Sequence, residues 1–270
     1  MKLLSKYTAW MGDGTFAIVP LVFLQLYTLL VVVNNFALPL AFGLLPNKTT
    51  KTYVKFFKMI EKRVTSPPTS INVDFELAVF NAVKKVFESV DIYGCYFHLS
   101  QSFFRNIQQK GFYITYVTKP LFKKCFLLTQ ALAYLPIDDV ITGFTKVHEY
   151  ATTKCPEYLE FLTYVEECYV GLMDNKTKRR KKPRFELSTW NVHDRVINNK
   201  PRTSNKLERF NKEFSLDAGS YHLATSDLIE NLRLEQGHTE SLIVQINLGK
   251  EKPKHKLYKH LDDAFSNLVK

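Results

Sequence analysis

The sequence predicts an α/β fold on a mixed five-stranded sheet, with an all-helical segment inserted late in the chain. Three observations carry that expectation. Short runs rich in β-branched and aromatic residues recur at 7–11, 21–33, 36–44, 71–73 and 91–97. Two stretches between them repeat apolar residues at three- and four-residue spacing. After residue 99, strand alternation disappears and helical periodicity takes over to about 173. Strand, hairpin, helix, strand, helix, strand is an α/β order.

The first strand is expected over Tyr7–Met11, delivering Asp13 just beyond its end and directly before Gly14. From Gly14 to Asn47 no residue is charged, so a membrane span competes with a buried hairpin here. Pro20, Gln25, Asn34-Asn35 and Pro39 interrupt that run. Asn tolerates positive φ, so Asn34-Asn35 between apolar runs reads as a hairpin turn, with strands near 21–33 and 36–44. No membrane partner and no signal peptide are expected.

Thr49 or Thr50 caps a helix whose apolar positions are Tyr53, Phe56, Phe57, Ile60 and Val64, and Ser66-Pro67-Pro68 stops it. Ile71–Val73 forms the fourth strand, with Asp74 at its carboxyl end. A second helix carries Ala78, Val79, Ala82, Val83 and Val86 on one face, and Asp91–Phe97 alternates as the fifth strand. Further on, Phe103, Phe104 and Ile107, then Phe122, Phe126 and Leu127, then Leu159, Leu162 and Val165 mark successive helices. Pro136-Ile137-Asp138-Asp139 and Cys155-Pro156-Glu157 read as helix starts.

At 270 residues the chain suits one domain of moderate size or a core with an insertion. Its net charge of +11 fits a polyanionic partner such as DNA, although surplus lysine alone supports only solubility or non-specific binding. Four cysteines, Cys95, Cys125, Cys155 and Cys168, show no Cys-x-x-Cys spacing, which argues for a reducing compartment and against a disulfide framework.

Three carboxylates stand in distinctive surroundings: Asp13 in Trp10-Met-Gly-Asp-Gly-Thr-Phe, Asp74 where a strand hands over to a helix, and Glu208 in a polar loop feeding an amphipathic helix. Acids gathered from distant segments suit two divalent ions, and oxygen-only ligands favour magnesium or manganese. Singly, each acid means little, because Asp before Gly is more often a turn former than a metal ligand.

The ordered set resembles the transposase domain of Mutator-like elements, the MULE transposase domain. The matching stretches are Asp13-Gly-Thr-Phe, Gln25-Leu-Tyr-Thr, Pro39-Leu-Ala-Phe-Gly-Leu-Leu-Pro-Asn-Lys-Thr, Thr52-Tyr and Asp74-Phe-Glu-Leu-Ala. They continue with Gly94-Cys-Tyr-Phe-His-Leu-Ser-Gln-Ser, Trp190-Asn-Val and Pro201-Arg-Thr-Ser-Asn, and together cover roughly residues 7 to 230. The resemblance implies a ribonuclease-H-like fold in which the first and fourth strands are neighbours, so that Asp13 and Asp74 lie side by side. It implies a metal-dependent DNA transposase with Asp13, Asp74 and Glu208 as catalytic and metal-holding residues, two Mg2+ or Mn2+ ions, a helical insertion between the second Asp and the Glu, and a nuclear location. A homo-oligomer is an open expectation.

Two departures qualify activity. Where the family usually reads Asn-Asn before its glutamate, and Gly with a nearby His after it, this chain has Ser204-Asn205, Arg209 and Asn211. The chain also starts almost at the first catalytic strand, which suits a fragment or a host gene derived from an element. The alternative reading is therefore a domesticated, catalytically inactive DNA-binding protein of transposon origin.

Boundaries are expected at 1–98 for the first part of the core, 99–189 for the insertion with its basic loop, 190–230 for the second part carrying Glu208, and 231–270 for a tail. Within that tail, 257–269 suits a short amphipathic helix. Lys176–Arg184 holds seven basic residues in nine, and Lys178, Arg179, Arg180, Lys181, Lys182 and Arg184 are candidates for phosphate contact or nuclear import. Arg202 joins the nucleic-acid-binding candidates, as does Trp190, whose ring suits stacking on an exposed base, with core packing as the rival fate. Cys95 and His98 form a Cys-x-x-His pair, which the family also carries. A structural or supporting role is expected; zinc is the lesser alternative, since it wants about four ligands and no second pair is evident.

Overall fold

The computed structural model describes residues 1–198 and 200–253. They fall into two compact units: residues 1–93 with 203–253, and residues 94–202.

The first unit is a five-stranded mixed sheet in the order β3-β2-β1-β4-β5. A short helix, α1 (Lys2–Lys6), precedes β1 (Ala9–Thr15). β2 (Gln25–Val33) and β3 (Phe36–Leu45) form the hairpin. Its two-residue turn has φ of 47° at Asn34 and 67° at Asn35, the left-handed pair that a tight hairpin turn requires. Pro39 is tolerated because β3 is an edge strand and the register slips beside it, leaving Leu40 as the extra residue. The charge-free stretch is thus largely sheet, and among the described residues no helix is long and apolar enough to cross a membrane.

Helix α2 (Thr50–Glu61) starts where expected: the Thr49 hydroxyl accepts the Thr52 N–H at 3.3 Å. It buries Tyr53, Phe56, Phe57 and Ile60, the anticipated stripe, and ends before Val64. β4 (Ser70–Val73) then runs parallel to β1, and α3 (Leu77–Val86) buries Val79, Phe80, Ala82, Val83 and Val86. Trp10 meets Phe87 edge-on at 5.7 Å and Phe57 meets Phe87 at 6.1 Å, so one sheet face is covered by α2 and the end of α3.

After β5 (Asp91–Gly94) the second unit begins. It is helical throughout: α4 (Tyr96–Gln109), α5 (Tyr113–Thr118), α6 (Pro120–Ala131), α7 (Val140–Lys154), α8 (Leu159–Val165), α9 (Leu187–Trp190) and α10 (His193–Ile197). Single 3-10 turns at Ile137–Asp139 and Pro156–Tyr158 lead into α7 and α8, at the two proline-marked starts. Its core is aromatic: Phe103 packs on Phe161 and Tyr169, and Phe122 on Tyr158. The Tyr158 hydroxyl lies 2.8 Å from Thr129 Oγ1, so its burial leaves no orphaned polar end.

The chain returns to the first unit with α11 (Asn205–Asp217) and α12 (Thr225–Asn247). These cover the second sheet face. Leu207 packs with Met11 and Leu30, while Phe214 and Leu228 join Ile18, Val19 and Leu26. Phe210 and Phe214 stack at 5.7 Å, and Phe42 stacks on Phe214 at 6.4 Å.

Five boundaries differ from expectation. β1 runs on to Thr15 because β2 continues to pair with it, so Asp13 lies within the strand and not beyond it. β2 begins at Gln25, with 16–24 as a connection. β5 stops at Gly94 because Leu99, Phe103 and Ile107 impose a helix from Tyr96. Residues 190–202 belong to the helical unit, where Arg195 and Trp190 are buried. Residues 231–247, assigned to the tail, continue the long helix α12, whereas the helix expected at 257–269 lies outside the described residues.

Candidate functional site

β1 lies between β2 and β4, and its side chains alternate between the two faces. Met11, Asp13 and Thr15 all meet α11. Met11 packs on Leu207, Asp13 Oδ2 accepts the Asn211 Nδ2 at 2.9 Å, and Thr15 Oγ1 lies 3.4 Å from Ser215 Oγ. Gly12 and Gly14 occupy the opposite face.

The parallel register pairs Gly12 with Val73, which sets Asp13 and Asp74 at consecutive carboxyl-end positions of neighbouring strands. Sixty-one residues of sequence separation thus collapse to one inter-strand spacing, about 4.8 Å between backbones. In a parallel pair, residues in register share a face, so Asp74 lies on the α11 side with Asp13. Two carboxylates held on neighbouring strands repel each other. A divalent cation offsets that cost.

Glu208 lies in the first turn of α11, three residues before Asn211. That spacing puts both side chains on one side of the helix, about 4.5 Å apart along its axis. Glu208 is therefore one turn from the residue that touches Asp13. Its Oε1 accepts the hydroxyl of Ser204 at 3.0 Å, and Ser204 is itself 1% exposed. Ser204, Glu208, Asn211 and Ser215 form a polar stripe beside the apolar stripe of Leu207, Phe210 and Phe214. The two departures from the family pattern after the glutamate thus differ in consequence: Asn211 reaches Asp13, whereas the exposed Arg209 turns to Glu213 at 2.7 Å.

The same face carries three buried oxygens with no hydrogen-bond partner among the described residues: Thr28 Oγ1, Asn72 Oδ1 and Asn211 Oδ1. Thr28 pairs directly with Asp13 across the β1–β2 ladder, and Asn72 pairs with Met11 on β4. Buried polar atoms without partners are rare in folded proteins. Here they gather at two adjacent carboxylates, a donor set made only of oxygen, which fits magnesium or manganese. Sequence reasoning missed Thr28 and Asn72, and named Asn211 only as a departure from the family pattern after Glu208. The available signal was a polar residue at strand positions otherwise filled by Ile71 and Val73, or by Leu26, Leu29 and Leu30.

On the opposite face the Tyr27 ring is enclosed by Tyr53, Phe56 and Phe57. Burial first, then Tyr53, then the charges of Asp13, Asp74 and Glu76 push the Tyr27 phenol well above its ordinary ionisation range. Its hydroxyl lies over Gly12, where an added Cβ would come within 2.6 Å of it. Gln25 donates to the Tyr53 hydroxyl at 2.6 Å, and Lys48 pairs with Glu76 at 3.0 Å.

The other candidate residues lie in the helical unit. Cys95 is the buried N-cap residue of α4, and His98 lies in that helix's first turn. The basic segment is a turn organised by Asp174, whose Oδ1 accepts the N–H groups of Lys176 and Thr177 at 2.8 and 2.9 Å. Lys178, Arg179, Lys181, Lys182 and Arg184 are exposed. Arg180 is not: its Nη1 donates to Glu166 and to the Gly171 carbonyl, each at 2.6 Å, and its guanidinium lies over Phe144. Trp190 is 2% exposed and donates its indole N–H to the Tyr169 carbonyl at 2.9 Å, so core packing removes its ring from any base. Arg202 is half-buried, with Nη1 3.4 Å from the Tyr134 hydroxyl.

A parallel β1–β4 pair followed on both strands by an aspartate, within a mixed five-stranded sheet covered by helices, is a ribonuclease-H-like α/β core. Residues 9–102 match the family model of the MULE transposase domain. The match covers about a third of the chain's 270 residues, and contains Asp13, Asp74, Cys95 and His98 but not Glu208. Over that stretch the chain is similar to the domain that its motifs announced. A search of curated proteins gives no match.

Proposed function

We propose that this chain is a metal-dependent DNA strand-transfer domain of transposon origin, with Asp13, Asp74 and Glu208 as its catalytic carboxylates. The observation that supports it most is the adjacency of Asp13 and Asp74 just past the last β1–β4 pair, with Glu208 one turn from Asn211 on the helix that meets Asp13. The match to a transposase domain supplies the class of reaction.

In this reading Asp13, Asp74 and Glu208 hold two magnesium or manganese ions. Such ions supply a water or hydroxyl of lowered pKa and charge neutralisation at a phosphate. The protein's own task is orientation. The rigid strand ends fix the two aspartates, Asn211 and Gly14 N–H groups hold both oxygens of Asp13, and Ser204 holds Glu208. No covalent protein nucleophile is required. The exposed Lys178, Arg179, Lys181, Lys182 and Arg184 contact the phosphate backbone, which contributes affinity without sequence selection. Nuclear import through the same run is compatible with that role.

The test is incubation of the purified protein with labelled duplex DNA and Mn2+. Nicking, and joining of 3′-hydroxyl ends, that disappears in Asp13→Asn supports the proposal. DNA binding without nicking would instead identify a DNA-binding descendant that has lost turnover.

A further inference from the structure

We infer that Thr28, Asn72 and Asn211 form a second set of oxygen acceptors that hold the water shell of a cation bound at Asp13 and Asp74, with Asn211 as the positioning residue. The inference rests on the proposed metal site and assigns to it three neutral side chains.

The three residues come from three elements, β2, β4 and α11, and all face the Asp13–Asp74 pair. They are 0%, 6% and 8% exposed, so bulk solvent does not serve their oxygens. Among the described residues, none of the oxygens Thr28 Oγ1, Asn72 Oδ1 and Asn211 Oδ1 has a hydrogen-bond partner. One unpartnered buried oxygen costs about 1–3 kcal/mol, so three clustered ones need a reason to persist.

The direction of the Asn211 amide is not arbitrary. A carboxylate only accepts, so with Asp13 Oδ2 at 2.9 Å the amide nitrogen must face it. Oδ1 is then left as an acceptor on the same side chain. Magnesium and manganese keep several of their waters, and those waters are strong hydrogen donors. Two amide oxygens and a hydroxyl, each able to accept, complement such a shell. Free water also fits polar cavities with two to four partners, so the set is built for bound water, and the carboxylates beside it select hydrated cations.

Asn211 links the two layers. One end of its amide orients the carboxylate, and the other would accept a hydrogen bond from a water of the bound ion. Ligand-orienting neighbours of this kind change metal affinity by about 10–100-fold when removed.

The experiment is an Mn2+ titration by calorimetry on the full chain, paired with thermal unfolding without metal. Wild type is compared with Asp74→Asn, Thr28→Val and Asn211→Leu. Thr28→Val is nearly isosteric and deletes only an unpartnered hydroxyl, so it raises metal-free stability whatever the hydroxyl does. The inference expects the same variant to bind Mn2+ about tenfold more weakly, and Asn211→Leu at least as weakly. A merely structural polar residue would not move stability and metal affinity in opposite directions. Should Thr28→Val and a folded Asn211→Leu bind Mn2+ as wild type does, while Asp74→Asn does not, the inference is overturned and the metal site stands. Absence of saturable, Asp74-dependent binding in wild type overturns both. If Asn211→Leu does not fold, Thr28→Val decides alone.

Discussion

Asn211 donates its amide to Asp13 Oδ2 at 2.9 Å, pinning α11 to the central strand at the carboxylate itself. The two residues are 198 positions apart, and Glu208 lies three residues before Asn211 on the same helix.

The first prediction concerns Asp13 and Asp74 as like charges. Asp74→Asn removes a repulsion and leaves strand pairing intact. The expected melting temperature without metal is equal to or a few degrees above wild type, while Mn2+ no longer protects. Calorimetric unfolding with and without 1 mM Mn2+, roughly the level for a weak site, checks it.

Gly12 is required by the approach of Tyr27. An added Cβ meets Tyr27 Oη at 2.6 Å, and the Leu29 side chain at 3.1 Å, so Gly12→Ala should cost about 1–3 kcal/mol. Tyr27→Phe removes both the obstructing atom and a buried unpartnered hydroxyl. In a double-mutant cycle by urea unfolding, Gly12→Ala should cost less in the Tyr27→Phe background than alone. Equal costs would place the strain elsewhere.

Arg180 and its neighbours should separate cleanly. Arg180→Ala removes two 2.6 Å bonds and the contact over Phe144, and should destabilise the helical unit by about 2–4 kcal/mol. Replacing Lys178, Arg179, Lys181 and Lys182 by Gln should leave stability within about 0.5 kcal/mol. DNA affinity should fall in the second variant, with a shallower dependence on salt. Fluorescence anisotropy across a salt series, beside thermal unfolding, reads both.

Arg195 makes a similar case at the neck of the helical unit. It is 2% exposed and donates to the Pro201 carbonyl through Nε and Nη2 and to the Gly94 carbonyl through Nη1. Arg195→Met keeps the bulk but strands two carbonyls, and should cost about 2–4 kcal/mol. Faster amide exchange at Tyr96, whose N–H bonds the Arg202 carbonyl, is the local signature.

Alkaline pH should unfold the protein steeply. Burial raises the phenols of Tyr27 on β2 and Tyr53 on α2, and of Tyr158 and Tyr169 in the helical unit, above their ordinary range. Unfolded phenols ionise near pH 10, while the folded ones stay protonated to higher pH. Stability is therefore fully present below about pH 10 and lost as pH rises beyond it. Tyr158→Phe should flatten that loss, measured as urea midpoints between pH 8 and 11.

Much of the fold was legible because its local signals agree. Asn34-Asn35 takes the two positive φ values a tight turn needs, Thr49 caps α2, and Tyr53, Phe56, Phe57 and Ile60 are the face that α2 buries. The adjacency of Asp13 and Asp74 followed from the family resemblance, not from spacing, because strand order is a tertiary property. The contacts of Asn211, Thr28 and Asn72 were not legible for the same reason: each depends on which face meets which partner across three elements. Trp190 and Arg180 show the complementary limit. An aromatic after a basic run suits base stacking as well as burial, and only packing against Tyr169 distinguishes them. For Arg180, neighbouring charges suggest exposure, yet Glu166 and the Gly171 carbonyl draw that one side chain inward.

The most direct test of the central claim is Mn2+ binding by wild type, Asp13→Asn and Glu208→Gln, each confirmed folded by circular dichroism and titrated with and without DNA. The account predicts saturable binding in wild type, lost in Asp13→Asn and weakened at least tenfold in Glu208→Gln. Equal binding by all three proteins, or none by wild type even with DNA present, would contradict it.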